Sequence, residues 1–259
     1  MNETRVKLFD LAGRVALVTG GNGGIGLGMA TGLAQAGAAI AVVGRNRGKG
    51  EAAVEQLRAH GVECAFVAAD VTDEAECRRM VRETVERLGR LDIVVNNAGG
   101  NIRKRPEAYA AAEWHQVMDT NLTSAFHASQ AAYPELCKAG GGKIINIGSM
   151  TSIFGVAFAA AYAASKGGIV QLSKSLATAW AKDNIQVNAV LPGWIDTELT
   201  RTARTQVEGL HERVVARTPA GRWGVPEDLA GVAVFLASAA SDFVTGTAIP
   251  IDGGYSAQG

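Results

Sequence analysis

The chain has no surplus of either charge and no long apolar segment. Its 259 residues contain 25 Lys and Arg against 25 Asp and Glu. This balance gives no electrostatic reason to bind nucleic acid or an anionic membrane, so neither is expected as a partner. No apolar run reaches the roughly 18 residues of a membrane span, and the first ten residues contain no apolar signal core. We therefore expect a cytoplasmic protein.

Cysteine is also scarce. Cys64, Cys77 and Cys137 are odd in number and far apart, with no Cys-x-x-Cys spacing and no histidine companion. Disulfides and a metal site are therefore not expected, and buried structural thiols are.

Glycine, by contrast, is plentiful, with 32 residues against 6 prolines. The stretch 20–26 reads Gly-Gly-Asn-Gly-Gly-Ile-Gly, and it lies between an apolar predicted strand and an apolar predicted helix. Such a turn lets the backbone approach a pyrophosphate, while the helix N-terminus offers N–H donors and a positive dipole end. The turn satisfies G-x-G-x-x-G at Gly21, Gly23 and Gly26. It therefore predicts a dinucleotide site rather than a glycine-rich linker, which would not separate two apolar elements.

Strands and helices alternate along the chain. Predicted strands cover residues 14–19, 39–44, 62–68, 91–95, 144–147, 185–191 and 247–251, and predicted helices cover 27–35, 51–60, 73–88, 113–138, 161–181 and 226–238. This alternation predicts an α/β fold with a doubly wound parallel sheet of about seven strands and helices on both faces. Pro134 is expected to bend or end its helix. No linker divides the chain, so residues 1–259 are predicted to form a single domain, with a polar arm at 1–13 and a mobile lid at about 197–218.

One stretch combines three chemically useful side chains. Tyr162 and Lys166 are four residues apart in an alanine-rich helix, so they share one face. A tyrosine has a pKa of about 10, and a nearby ammonium lowers it. Ser149 follows the preceding strand and could place a hydroxyl beside the phenol. Together they suit proton transfer to a carbonyl or from an alcohol, although Tyr162 could instead pack in a core and Lys166 be solvated.

Topology favours the catalytic interpretation. Ligands of parallel sheets lie beyond the carboxyl ends of the strands. Asp70 and Val71, residues 96–99, Ser149, and Pro192 with Gly193 all follow predicted strands, so they should ring one crevice. The helix carrying Tyr162 and Lys166 can face the same crevice.

The second strand carries a cofactor signal. Sites for NAD commonly place an acid near its end to bind the ribose 2′-hydroxyl, whereas an arginine accommodates a 2′-phosphate. Here Arg45 follows the strand and no acid does. NADP(H) is therefore favoured, unless Arg45 is a solvated loop residue.

These motifs resemble those of the short-chain dehydrogenase/reductase family over nearly the whole chain. The resemblance comprises Thr19-Gly20-x-x-x-Gly24-x-Gly26, Asn96-Asn97-Ala98-Gly99, Ser149 thirteen positions before Tyr162, Tyr162-x-x-x-Lys166, Asn121, and Pro192-Gly193. It implies a Rossmann-type domain, hydride transfer with a nicotinamide cofactor, and a homotetramer.

The resemblance also implies roles. Tyr162 would be the acid or base, Lys166 would lower its pKa and hold the nicotinamide ribose, and Ser149 would stabilise the alkoxide. Asn121 would anchor a water that passes protons to Lys166. The implied cofactor-binding residues are Gly20, Asn22, Gly24, Ile25, Gly26, Arg45, Asp70, Val71, Asn97, Ala98, Gly99, Tyr162, Lys166, Pro192, Gly193, Ile195 and Thr197. NADP-preferring members often carry a basic residue where this chain has Gly23, so NAD(H) use stays open.

Several runs, among them 218–224 and 241–246, look most like the sugar-acid branch with its gluconate and 2-deoxy-gluconate dehydrogenases. The candidate substrate residues are Arg103, Ser149, Met150, Tyr162 and Trp194. Arg103 could meet a substrate carboxylate or be a solvated loop charge. An alternative is a 3-oxoacyl carrier-protein reductase, although the carrier-binding arginines of such enzymes match Gly140 and Asp183 here. A non-catalytic dinucleotide sensor is a third hypothesis, and it predicts a damaged active site.

Overall fold

The computed structural model describes residues 8–258 and contains one parallel sheet. Its strands are β1 Val15–Thr19, β2 Ala39–Gly44, β3 Cys64–Ala68, β4 Ile93–Asn96, β5 Gly142–Ile147, β6 Ile185–Pro192 and β7 Ala248–Ile251. They pair in the order β3-β2-β1-β4-β5-β6-β7. The predicted doubly wound sheet is confirmed. Its strand order reverses between β1 and β4, and ligands of such sheets bind at this switch point.

Nine α-helices connect and flank the strands within the described residues. They are α1 Gly24–Gln35, α2 Arg47–Arg58, α3 Glu74–Leu88, α4 Ala111–Met118, α5 Ser124–Lys138, α6 Ala160–Trp180, α7 Glu198–Gln206, α8 Leu210–Arg217 and α9 Ala230–Ala237. Alternate residues of β1 enter different cores: Val18 packs with Met29 of α1 on one face, and Leu17 packs with Met80 of α3 on the other. Both faces of the sheet are therefore covered, as the continuous apolar strands predict.

The predicted helix 113–138 is interrupted. A π-helical turn, Asp119–Thr123, separates α4 from α5. Pro134 lies inside α5 and does not end it, because the flanking Ala132 and Leu136 are fully buried and hold the helix against the core. π turns occur often at functional sites, and this one contains Asn121.

The segment of the predicted lid is largely helical. Residues 197–218 contain the two short helices α7 and α8, which are separated at Gly209, where φ is +65°. One small apolar residue from each helix, Ala203 and Val214, is buried beneath it. Two residues give too short a pattern for a helical period to be recognised in the sequence.

Two other expectations need comment. Cys64 and Cys77 are buried as predicted, but Cys137 is exposed because it lies outside the buried stripe of α5. The predicted polar arm lies partly outside the described residues. Within residues 8–258, no helix has both the length and the apolarity that crossing a bilayer requires.

Helix α1 packs closely against the start of α9 and the turn that precedes it. A Cβ atom added at Gly28 would lie 2.3 Å from the carbonyl oxygen of Pro226, and one added at Gly32 would lie 2.7 Å from the Cβ of Ala230. Backbone atoms cannot move aside as a flexible side chain can. The two glycines therefore fix how near α1 approaches its neighbour.

Gly28→Ala is expected to lower the free energy of unfolding by about 2–3 kcal/mol, because the added methyl overpacks this contact. Urea denaturation measures the loss. Gly231→Ala is the control, since Gly231 lies in α9 with no atom within 4 Å of an added Cβ. The control should gain up to roughly 1 kcal/mol from helix propensity. Equal stability of Gly28→Ala and the wild type would show that the helices are farther apart.

Candidate active site

Hydrogen bonds between two strand ends shape the glycine-rich turn. The side-chain amide of Asn97 donates to the carbonyl oxygens of Thr19 and Gly20, at 3.0 and 3.2 Å. A Cβ on Gly26 would lie 2.3 Å from the carbonyl oxygen of Gly20, so no other residue fits there. Helix α1 starts at Gly24 with no side-chain cap and no acid in its first turn. Its first N–H groups are therefore available to an anion.

A cavity of about 570 Å³ opens at this turn, and we call it the inner cavity. It brings together most of the predicted site. From the predicted set it is lined by Gly20, Asn22, Gly24, Ile25, Asn97, Ala98, Gly99, Ser149, Tyr162, Lys166, Pro192, Gly193, Ile195 and Thr197. The carboxyl ends of β1, β4, β5 and β6 thus meet at one site, as parallel strands require.

Four predicted cofactor residues do not line the inner cavity. Gly26 lies beneath the turn, and Val71 is buried in the core of the α3 face. The Arg45 guanidinium lies 3.6 Å from the carboxylate of Asp70, and both side chains are largely exposed. Hydrogen bonds from the N–H and hydroxyl of Thr72, together with Arg45, hold the pKa of Asp70 below its usual value.

The sequence analysis missed one ion pair at the inner cavity. The Lys49 ammonium, in the first turn of α2, lies 2.9 Å from the carboxylate of Glu198 at the start of α7. Both residues line the cavity. They are 149 positions apart in sequence, so no local pattern could have paired them.

The Tyr162 phenol lies beside Ser149, at the inner cavity's boundary. Burial raises the pKa of Tyr162, while a hydrogen bond with Ser149 and the charge of Arg103 act in the opposite direction. The sequence analysis expected Lys166 to lower this pKa. In the structure the Lys166 ammonium lies 5.7 Å from the centroid of the Tyr162 ring and donates to a backbone carbonyl, so Ser149 and Arg103 are the groups that favour the phenolate.

Lys166 is 4% exposed. Its ammonium donates to the carbonyl oxygen of Ile147 at 2.6 Å, at the end of β5. Among residues 8–258, no carboxylate pairs with this ammonium. Burial lowers the pKa of Lys166 to about 8.

Asn121 closes the other side of this polar cluster. Its amide donates to the carbonyl oxygen of Gly100 and to the Ser165 hydroxyl, at 2.9 and 3.0 Å, and its oxygen accepts from the N–H of Gly100 at 2.7 Å. A Cβ on Gly99 would lie 2.9 Å from that oxygen and 3.5 Å from the Lys166 nitrogen. The π turn therefore places Asn121 beside Lys166, although the two are bonded to different backbone groups.

A second space, the outer cavity of about 360 Å³, adjoins the inner one. The two share Ser149, Tyr162, Pro192, Gly193, Leu199 and Thr200. The predicted substrate residues Arg103, Met150 and Trp194 all line it. So do several residues that the sequence analysis missed, chiefly Phe154, Arg213, Arg217 and Tyr255. No Asp or Glu lines the outer cavity, so its charge comes from three arginines.

Comparisons with known proteins agree with this geometry. A family model described as "Enoyl-(Acyl carrier protein) reductase" matches residues 20–256. The chain is 43% identical to a 2-dehydro-3-deoxy-D-gluconate 5-dehydrogenase of Dickeya dadantii, over 96% of this chain and 98% of that protein.

Two solved structures have the same fold. A gluconate 5-dehydrogenase from Burkholderia cenocepacia, in complex with NADP and tartrate, is 41% identical with a TM-score of 0.92 over 97% of this chain and 98% of that one. A short-chain type dehydrogenase/reductase from Mycobacterium marinum is 36% identical with a TM-score of 0.91 over 96% and 97%. The chain therefore belongs to the short-chain dehydrogenase/reductase family, as an oxidoreductase that acts on CH–OH groups.

Proposed function

We propose that this protein transfers a hydride between NADP(H) and a secondary alcohol or ketone of a sugar acid such as a gluconate or deoxygluconate. The observation that carries the proposal is the meeting of two cavities at Tyr162 and Ser149. One cavity is lined with glycines at a helix N-terminus, and the other with three arginines and no acid. The relatives named as gluconate and deoxygluconate dehydrogenases support a sugar acid.

The inner cavity fits a nicotinamide dinucleotide. The glycine turn and the open N–H groups of α1 suit its pyrophosphate. Lys166 would hold the nicotinamide ribose, and Asn97 would hold the glycine turn in place. Ile195 and Thr197 would hold the carboxamide of the nicotinamide. The bound dinucleotide supplies the hydride acceptor for oxidation and the hydride donor for reduction.

Tyr162 exchanges the proton of the substrate oxygen in this proposal. Its raised pKa keeps the phenol protonated at neutral pH, so in reduction it can donate directly to a carbonyl oxygen. In oxidation it must first lose that proton, and the Ser149 hydrogen bond and the Arg103 charge favour the phenolate. The Ser149 hydroxyl would also stabilise negative charge on the substrate oxygen.

Lys166 supplies a fixed buried cation behind this pair. Its charge would stabilise the phenolate formed in oxidation, and Asn121 would anchor a water that links Lys166 to solvent. With a pKa of about 8, the lysine can itself pass a proton near neutral pH.

Arg45 would bind the 2′-phosphate of NADP. It follows β2, and its guanidinium is 78% exposed, so it can reach a ligand although it also lies near Asp70. The relative from Burkholderia cenocepacia was crystallised with NADP. Asp70 and Val71 would flank the adenine.

The alternative hypotheses are less well supported. The relatives favour a sugar acid over an acyl carrier protein, and Gly140 and Asp183 provide no carrier-binding cation. A non-catalytic sensor would not need Asn121, Ser149, Tyr162 and Lys166 together.

We further propose that residues 1–259 act as a single dinucleotide-binding domain in which 197–218 is a substrate lid. The Lys49–Glu198 ion pair supports a lid, because it joins α2 to α7 across the inner cavity. We also propose a cytoplasmic homotetramer. Exposed apolar side chains such as Phe126 and Phe243 are consistent with contacts between subunits.

Tyr162→Phe is expected to lower kcat with six-carbon sugar acids by about 10²–10⁴-fold, because the proton donor is lost while the ring is kept. Steady-state kinetics with NADP measures it. Binding of NADPH, followed by fluorescence, should be nearly unchanged. Unaltered turnover would remove Tyr162 from the reaction.

Lys166→Met should abolish turnover and yet raise stability near pH 7. A fall of the lysine pKa from 10.5 to about 8 corresponds to roughly 3 kcal/mol of burial cost. The unbonded Ile147 carbonyl offsets about 1 kcal/mol of the gain, which leaves about 2 kcal/mol.

The stability that Lys166→Met gains over the wild type should decrease as the pH rises. Below about pH 8 both folded and unfolded lysine are charged, so the full cost applies and the variant gains most. Between about pH 8 and 10.5 the unfolded chain binds more protons, so wild-type stability recovers and the gain shrinks. Chemical denaturation at several pH values measures this, with the exposed Lys174→Met of α6 as control. A loss of stability at pH 7 would contradict the burial cost.

Arg45→Asp is expected to raise the KM for NADP by about tenfold or more and to change that for NAD much less. A carboxylate at this position repels the 2′-phosphate and removes a bidentate donor. Arg47→Asp, two positions along, controls for the change of charge. Equal effects on both cofactors would exclude Arg45 from the phosphate site.

A further inference from the structure

We propose that Arg213 and Arg217 of α8 bind the carboxylate of the substrate. Closure of the segment 197–218 over the site then depends on the charge of the substrate. The inference rests on the proposed function. It assigns the carboxylate to a part of the site that differs from the predicted Arg103.

The Arg217 guanidinium stacks on two aromatic rings. Its guanidinium carbon lies 4.4 Å from the ring centroid of Tyr255 and 5.4 Å from that of Phe154. Stacking occupies the faces of a guanidinium and leaves its edge N–H groups free for a carboxylate. All three residues line the outer cavity. The stack therefore presents donors to a ligand there.

Arg213 lies one turn earlier on the same helix, so the two side chains share a face. It also lines the outer cavity. Two cations four residues apart repel each other weakly, and an anion held between them would relieve that repulsion.

The two arginines of α8 differ from those of α7. Arg201 and Arg204 both pair with Asp196. Within residues 8–258, by contrast, no carboxylate pairs with Arg213 or Arg217. Since no acid lines the outer cavity, a ligand carboxylate is the partner that this chemistry fits.

The location of the pair matters for dynamics. Arg103 belongs to the loop after β4, whereas Arg213 and Arg217 belong to α8, within the segment 197–218. A substrate anchored by Ser149 and Tyr162 at its reacting carbon would draw α8 toward itself through its carboxylate. A neutral polyol would lack this contact and leave the segment open.

The test compares six variants with the wild type: Arg213→Met, Arg217→Met, their double mutant, Arg217→Lys, Arg103→Ala, and Arg201→Met as a matched control. Arg201 lies in the same segment and loses the same charge, but it pairs with Asp196 and does not line the outer cavity. Each is assayed with NADP⁺ on a panel of six-carbon sugar acids and on glucitol, and with NADPH on neutral ketoses.

We expect the double mutant to raise the KM for the acids by at least about tenfold and to leave kcat/KM for neutral compounds within about twofold, since charge-assisted bonds are lost only to the acids. Arg217→Lys should raise the KM for the acids less than Arg217→Met does, because the positive charge is kept. The control Arg201→Met should match the wild type. Parallel losses on acids and neutral compounds, or no loss on acids, would overturn the inference. So would a result in which Arg103→Ala alone removes the preference for acids.

Hydrogen exchange provides a readout that does not need turnover. With NADP present, gluconate should slow backbone exchange in 198–217 of the wild type, glucitol should not, and the double mutant should lose the effect. Protection without any turnover of sugar acids would contradict the proposed function but support the inference. Turnover of sugar acids without gluconate-dependent protection would support the proposed function but contradict the inference.

Discussion

The site depends on the hydrogen bond from the buried Lys166 ammonium to the carbonyl oxygen of Ile147, at 2.6 Å. This bond joins α6 to the end of β5. Tyr162 lies one helical turn before Lys166 on α6, so the bond also holds Tyr162 beside Ser149. A Cβ on Gly99 would approach both Lys166 and the oxygen of Asn121, so the β4 loop is fixed by the same cluster. Burying an uncompensated ammonium lowers its pKa and costs stability. The proposed proton transfer would use this destabilised cation.

The two cavities are built on different parts of the fold. The inner cavity is built on strand ends, where Asn97 ties the glycine turn to β4 through bonds of 3.0 and 3.2 Å. Close packing at Gly28 then fixes the helix that begins at this turn. The outer cavity is completed by α8, whose anchor to the core is the single buried Val214. In the proposed function the reacting groups thus lie at the strand ends, and the carboxylate of the substrate is bound partly by α8.

The sequence predicted the sheet and the convergence of its strand ends, because continuous apolar strands and glycine turns are local patterns. Ser149, Tyr162 and Lys166 line one cavity, as their positions after a strand and on the following helix predict. The raised pKa of Tyr162 could not be predicted, since it depends on burial and on where the Lys166 ammonium points. The π turn at Asn121 is set by tertiary hydrogen bonds to Gly100. The spacing of Arg213 and Arg217, four positions apart, can be seen in the sequence. The stacking of Arg217 on Tyr255 could not be predicted, because these two residues are far apart in the chain.

The most direct test is a crystal structure with NADP⁺ and a six-carbon sugar acid bound together. The account predicts that the Tyr162 and Ser149 hydroxyls both lie about 3 Å from the oxygen on the carbon that faces the nicotinamide ring. The acid's carboxylate should then extend into the outer cavity. A substrate oxygen out of reach of both hydroxyls, or a nicotinamide bound away from Lys166, would contradict it.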